Sequence, residues 1–223
     1  FRRVLFRSAI SIAHALKRRM KDCEILFVGA QGRMEMQKVP AAGYKIVGLP
    51  VTGFQRKLSL KNLTFFSKLF KSLRIAKRIL RDFNPDVVVG VGGFASGPLV
   101  YAASKRNIPC LIQEQNSYAG ITNKLLAKRV KTVCVAYEGM EKYFPEGKIV
   151  LTGNPVRKDL LNQIENKDIA LEHFDLKKNK KTILVIGGSL GARTINHSIS
   201  ENLDMIVRSG VQLIWQTGKY FYQ

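Results

Sequence analysis

Short runs of consecutive apolar, mostly β-branched residues alternate with longer segments of helical period along nearly the whole chain, and this restricts the fold more than any other feature. The strand candidates are Ile25–Val28, Lys45–Leu49, Asp86–Val91, Pro109–Gln113, Thr132–Ala136, Lys148–Leu151, Thr182–Ile186 and Gln212–Gln216. Between them lie helical patterns at Ile10–Met20, Asn62–Asp82, Pro98–Arg106, Gly120–Lys128 and Ala192–Arg208. A strand that is apolar at successive positions, rather than at alternate ones, has to be covered on both faces. Strand–helix alternation supplies that cover and predicts parallel sheets in an α/β fold. A Gly/Pro-containing bend at Gly153–Arg157 separates two such series, and a Lys-rich stretch, Asn162–Lys181, precedes the next strand. The pattern predicts two Rossmann-like domains, the first over 9–155 and the second, incomplete, over 156–223.

The two ends break the pattern. Phe1–Ser8 reads FRRVLFRS and caps nothing, and the helix that follows is expected to begin at Ala9 without a preceding glycine loop. A doubly wound sheet carries its first strand at its centre. Phe1–Ser8 is therefore read as foreign, with Val4–Phe6 as the stretch able to stand in for a first strand.

Lys plus Arg number 37 against 16 Asp plus Glu, a net charge of +21, which calls for an anionic partner without specifying a fold. The basic residues are densest from Arg56 to Arg81 and form no long tail, which argues against a disordered nucleic-acid arm. Cys23, Cys110 and Cys134 are widely spaced and read as buried, reduced thiols. His14, His173 and His197 show no metal-ligand spacing, so no metal is expected. No apolar run approaches the roughly 18–20 residues of a membrane span.

Two glycine loops join strands to helices. Gly90-Val91-Gly92-Gly93-Phe94-Ala95-Ser96-Gly97-Pro98 allows close backbone approach, and Ser96 with Pro98 suits a helix start whose free N–H groups attract an anion. Gly90, Gly92 and Ala95, with Glu114 further on, also fit a dinucleotide fingerprint, although the loop does not follow a first strand. Gly187-Gly188-Ser189-Leu190-Gly191-Ala192-Arg193 satisfies the nucleophile-elbow pattern. Only His197 and then Asp204 follow it, in the wrong order for a hydrolase, and a diphosphate cradle is the reading that remains. From Asn62 to Asp82, an apolar stripe of Leu63, Phe66, Phe70, Leu73, Ala76 and Leu80 is rimmed by Lys61, Lys68, Lys71 and further basic residues. Such a stripe either faces a core or lies in an acidic lipid surface.

Taken in order, GVGGFASGP (Gly90–Pro98), QEQNSYAGITNKLLAK (Gln113–Lys128), TGNPVR (Thr152–Arg157), GGSLGAR (Gly187–Arg193) and QTGK (Gln216–Lys219) resemble one family. It is the UDP-N-acetylglucosamine:undecaprenyl-pyrophosphoryl-muramoyl-pentapeptide N-acetylglucosaminyltransferase family of peptidoglycan synthesis (MurG), and the likeness extends to Arg33, Glu35, Pro40 and Gly43. The resemblance implies a two-domain fold of the GT-B type. It implies transfer of GlcNAc from UDP-GlcNAc to the muramoyl 4-hydroxyl of lipid I, with inversion, without metal or other cofactor. A related transferase acting on another lipid, such as diacylglycerol, is the alternative within the fold, and a non-catalytic basic binding module the alternative outside it.

Carried over by motif, Asn116, Arg157 and Ser189, with Gly188 and Gly191, are expected to contact the donor. Gly92, Gly93, Ser96 and Gly97 are expected at the acceptor pyrophosphate, and Glu114 is the catalytic candidate. The basic helix matches the family's membrane-docking region, which assigns Leu63, Phe66, Phe70, Leu73, Lys68 and Lys71 to an anionic membrane surface. Ala76 and Leu80 are expected to pack inward. The implied location is cytoplasmic, peripheral on the inner face of the bacterial plasma membrane, and nucleic acid is not an expected partner. The family's histidine-bearing glycine loop is absent before Ala9, His14 does not replace it, and Leu190 stands where the family usually has Gln. Later second-domain segments are missing too, so the chain alone is expected to be inactive.

Overall fold

The computed structural model describes residues 5–51, 61–156, 167–188 and 191–222, with the side chains of 61–64 left aside. Contacts divide the chain into two compact units, Phe1–Arg157 and Lys158–Gln223.

Each expected strand is present and every pairing is parallel. In the first unit β1 (Leu26–Ala30) pairs with β2 (Lys45–Leu49). A second sheet runs in the order β3 (Val88–Gly90), β4 (Cys110–Glu114), β5 (Thr132–Val135), β6 (Ile149–Leu151). The helices are α1 (Leu5–Arg19), α2 (Glu35–Ala41), α3 (Lys61–Phe83), α4 (Gly93–Ser104) and α5 (Ile121–Leu126). α4 carries no charge in GFASGPLVYAAS, and a helix apolar on all sides belongs inside. It touches β1, β3, β4, α3 and α5, with Val100 and Ala103 fully buried. α3 packs against it through Ala76 and Leu80, both buried as expected, in one core with Ile112 and Val133. Burial of Leu80 or Ile112 contributes about 1.5–3 kcal/mol each. Below α5 the Lys148 ammonium donates to the carbonyls of Lys128 at 2.8 Å and Val130 at 2.7 Å, fixing the C-terminal end of that helix.

Four expectations are corrected. Leu5 and Phe6 are helical, so α1 starts before Ala9 and no surrogate strand forms there. The reason is periodicity: Leu5, Ala9, Ile12 and Leu16 extend one apolar stripe. α4 begins at Gly93 rather than near Pro98, which lies within it. The expected helix Ala192–Arg208 is broken at Asn202, whose side-chain N–H donates to the Ser198 carbonyl at 2.8 Å and competes with the helical ladder. Among the thiols only Cys110 is buried, Cys23 and Cys134 being half-buried. Burial pushes the Cys110 and Cys134 thiols up, while Thr152 beside Cys134 opposes the shift.

The second unit contains α6 (Lys167–His173), within the stretch taken as merely polar, then β7 (Thr182–Ile186), α7 (Arg193–Glu201), α8 (Leu203–Arg208) and β8 (Gln212–Gln216). β7 pairs with β8. Buried Asn196 locks α7 to the end of β8. It donates to the Thr217 carbonyl at 2.7 Å and accepts from the Trp215 indole N–H at 3.2 Å.

Candidate functional site

In the first unit the side chains singled out by motif gather at the carboxyl ends of β3, β4 and β6, where open α/β sheets bind ligands. β3 ends in Gly90. Gly92 at φ 87° and Gly93 at φ 82° then turn the chain directly into α4. Both angles lie in the left-handed region, which is why this turn needs glycines. The first N–H groups of α4 have no intrahelical acceptors and mark an anion-binding end. A cavity of about 620 Å³ opens over this turn. Arg33, Phe94, Glu114, Asn116 and Asn123 line it together with both glycines, and Leu5 and Phe6 of α1 close one side. Leu5 lies against the turn: a Cβ added to Gly93 would come within 3.1 Å of its Cδ1.

Several of these residues make contacts that the motifs did not indicate. Glu114 is 2% exposed, not the partly exposed carboxylate that a strand end suggests. Its Oε1 accepts from the Asn116 backbone N–H at 3.2 Å and side-chain amide at 2.9 Å. Its Oε2 accepts from the Gly120 N–H and the Asn123 amide, each at 2.9 Å. Four donors fill the acceptor capacity of a carboxylate. Glu114 therefore holds the loop from Gln115 to Gly120 in place. Asn116 commits its amide N–H to Glu114, and its Oδ1 has no donor among the described residues, so it suits a ligand hydroxyl. The Ser96 hydroxyl donates to the Gly92 carbonyl at 2.7 Å. It braces the turn from within the helix instead of capping its start. Gly97 lies in the second turn of α4 with Thr122 beside it, and lines a different, apolar groove with Leu69, Leu73 and Leu125.

A ring of amides beneath the cavity was not anticipated. Gln113 donates to the Asn154 Oδ1 at 3.2 Å, and Asn154 donates to the Gln115 carbonyl at 3.2 Å. Gln115 donates to the Gln113 side chain and, at 3.1 Å, to the Val91 carbonyl at the mouth of the glycine turn. The signal was the QEQN run itself, four hydrogen-bonding side chains at a strand end, but its partner lies 41 residues away from Gln113.

In the second unit Gly188 at φ 82° and Gly191 at φ 77° turn the chain between β7 and α7, with the Gly191 N–H donating to the Gly188 carbonyl at 2.9 Å. Ser189, Leu190 and Arg157 lie outside the described residues. On α3, Phe66 and Phe70 are 54% and 72% exposed, Lys71 is exposed, and Lys68 and Leu73 are half-buried. The Leu63 side chain lies outside the described residues. Among the described residues no cluster of His, Cys, Asp and Glu could hold a metal ion, and no helix is long and apolar enough to cross a membrane.

Comparison with known proteins agrees with this geometry. Residues 6–135 match the glycosyltransferase family 28 N-terminal domain. A Parabacteroides distasonis protein is 62% identical over 214 residues, 96% of this chain and 58% of its own length. A Phocaeicola vulgatus protein is 59% identical over 213 residues, 96% of this chain and 57% of its own. Both are named UDP-N-acetylglucosamine–N-acetylmuramyl-(pentapeptide) pyrophosphoryl-undecaprenol N-acetylglucosamine transferase. The chain thus spans less than three fifths of these relatives. The crystal structure of Acinetobacter baumannii MurG superposes with a TM-score of 0.69 at 26% identity, over 96% of this chain and 57% of that one. UDP-GlcNAc 2-epimerase from Neisseria meningitidis shares the fold at a TM-score of 0.58 and 18% identity, over 97% of this chain and 71% of that one. The dinucleotide and hydrolase readings of the glycine loops give way to this result, and the resemblance carried by the five motifs is met: the chain belongs to glycosyltransferase family 28.

Proposed function

We propose that the protein to which this chain corresponds transfers GlcNAc from UDP-GlcNAc to the muramoyl 4-hydroxyl of lipid I, with inversion, producing lipid II. The observation that carries this reading is the 62% identity over 96% of the chain to a transferase of that name, across both glycine loops. In this reading the acceptor pyrophosphate lies at the start of α4, against the N–H groups after Gly92 and Gly93, with Arg33 as the nearby cation. The Asn116 Oδ1 accepts from a sugar hydroxyl. Gly188 and Gly191, with Ser189 between them, cradle the UDP diphosphate, and the N–H groups at the start of α7 stabilise the departing charge.

The test grafts this chain over the 214 residues it matches in the Parabacteroides distasonis protein. The chimaera is expected to move radiolabelled GlcNAc onto lipid I and to ignore diacylglycerol. Transfer to diacylglycerol, or none from a folded chimaera, defeats the reading.

The acceptor's lipid tail calls for work at a membrane surface, and in this proposal that is the cytoplasmic face of the plasma membrane, with the enzyme as a peripheral protein. Phe66, Phe70, Leu73, Lys68 and Lys71 of α3 form the docking face in this proposal, with Leu63 continuing the stripe. Each lysine near an anionic surface contributes about 1 kcal/mol, so Lys68→Ala with Lys71→Ala is expected to weaken partitioning roughly 30-fold. Co-sedimentation with phosphatidylglycerol-containing vesicles measures this, and unchanged binding would remove α3 from the interface.

A further inference from the structure

Beside the cavity over the glycine turn, one ammonium group is held in place without being neutralised. Lys124 is half-buried on α5, three residues after Ile121, which lines that cavity, so the two share one side of the helix. Its Nζ lies 4.4 Å from the centre of the Tyr118 ring and 4.2 Å from that of Tyr143, both within cation–π range. The two rings meet edge to face with their centres 5.2 Å apart. Neither ring is loosely placed. Tyr143 packs against the main core, and Tyr118 belongs to the loop that Glu114 fastens at Asn116 and Gly120, next to fully buried Ala119. The Lys142 Nζ stands over the Tyr143 ring as well, at 5.2 Å. Among the described residues neither Lys124 nor Lys142 has a carboxylate partner or a hydrogen-bond acceptor.

An aromatic face takes up part of an ammonium's charge but leaves its three N–H groups free to donate. Tyr118 is 68% exposed, so the clamp opens to solvent. A lysine ordinarily loses side-chain freedom when it forms an ion pair. Here the two rings have already restricted it, which favours capture of a ligand carboxylate. The relatives' names place a pentapeptide on the muramyl sugar, and a peptide ends in a carboxylate. Five extended residues span at most about 17 Å, and Lys124 lies only about 4.5 Å along the α5 axis from Ile121 at the cavity. We propose, on the basis of the transferase reading, that Lys124, clamped by Tyr118 and Tyr143 and backed by Lys142, binds a carboxylate of the acceptor's peptide. Lys124 is then a specificity-determining residue that favours acceptors with an acidic peptide.

The grafted transferase is assayed with two acceptors, lipid I with its peptide carboxylates free and lipid I with all of them amidated. The free acid is expected to show a KM about fivefold lower at equal kcat, the scale of one partly exposed ion pair. Lys124→Met keeps an unbranched apolar stem and removes the charge. It is expected to raise the KM of the free acid to that of the amide, leaving the amide and UDP-GlcNAc values unchanged. Lys124→Arg is expected to restore the preference, because a guanidinium keeps both the charge and the stacking. An acceptor amidated at its C-terminus alone tells whether the bound carboxylate is the peptide's end or an acidic side chain. If the clamp only braces the loop, Lys124→Met raises both acceptor KM values together. That outcome, or equal KM values for the two acceptors with the parent chimaera, overturns the proposal. Transfer to neither acceptor defeats the transferase reading instead.

Discussion

Glu114→Ala is expected to lower the stability of the first unit by about 3–5 kcal/mol, because four hydrogen bonds to one carboxylate are lost together and their donors stay buried. The size follows from the carboxylate's position. It is 2% exposed and accepts from two backbone N–H groups and two side-chain amides. A hydrogen bond to a charged group contributes about 1.5–3 kcal/mol, and each donor left buried without an acceptor carries a desolvation cost of about 1–3 kcal/mol. Asn123 keeps a second acceptor, the Gln113 carbonyl at 3.2 Å, which moderates the sum. Glu114→Gln preserves the volume but turns an NH2 towards donors, so a smaller loss of about 2–3 kcal/mol is expected. Urea unfolding measures both, and a loss below about 1 kcal/mol for the alanine variant would contradict the geometry. The same pair separates positioning from proton transfer. In the grafted transferase, a general base would give a Glu114→Gln enzyme that binds its substrates normally and is inactive. A positioning residue gives one that loses stability and substrate affinity together.

The closed network around Glu114 could not be read from the chain. The strands could, because DVVVGV and TVCVA leave no polar face and so call for covered, parallel positions. The inward side of α3 was equally plain, Ala76 and Leu80 falling on the stripe that packs against α4. The start of α4 was misplaced because proline favours a first helical position, whereas the real start is set by two left-handed glycines upstream of it. The burial of Glu114 was out of reach for a different reason. A carboxylate at a strand end is usually solvated, and its burial depends on Asn116, Gly120 and Asn123 folding back over it. Local pattern carries strand and stripe, but a closed polar network such as Asn154 with Gln113 and Gln115 exists only after distant segments meet.

The turn before α7 shows how much such a meeting can constrain one residue. Gly191→Ala is expected to destabilise the second unit by about 3–6 kcal/mol, combining left-handed strain of about 1–2, overpacking of about 1–3 and roughly one lost hydrogen bond. Gly191 has φ 77°, and a Cβ there would run into the Thr217 backbone carbonyl oxygen and approach the Asn196 amide nitrogen to 3.0 Å. A backbone oxygen cannot swing aside as a side chain can. If Thr217 moves, its carbonyl leaves the Asn196 amide, which also holds the Trp215 indole. Gly188→Ala is the control. Its φ of 82° imposes similar backbone strain, but among the described residues nothing lies within 4 Å of the added Cβ, so about 1–2 kcal/mol is expected. Trp215 is the chain's single tryptophan and reports this unit's unfolding directly by fluorescence. Equal losses for the two variants would mean that Thr217 does not close over Gly191. A much larger loss at Gly191 would establish that the glycine turn and the end of β8 form one rigid element, as a preorganised diphosphate cradle requires.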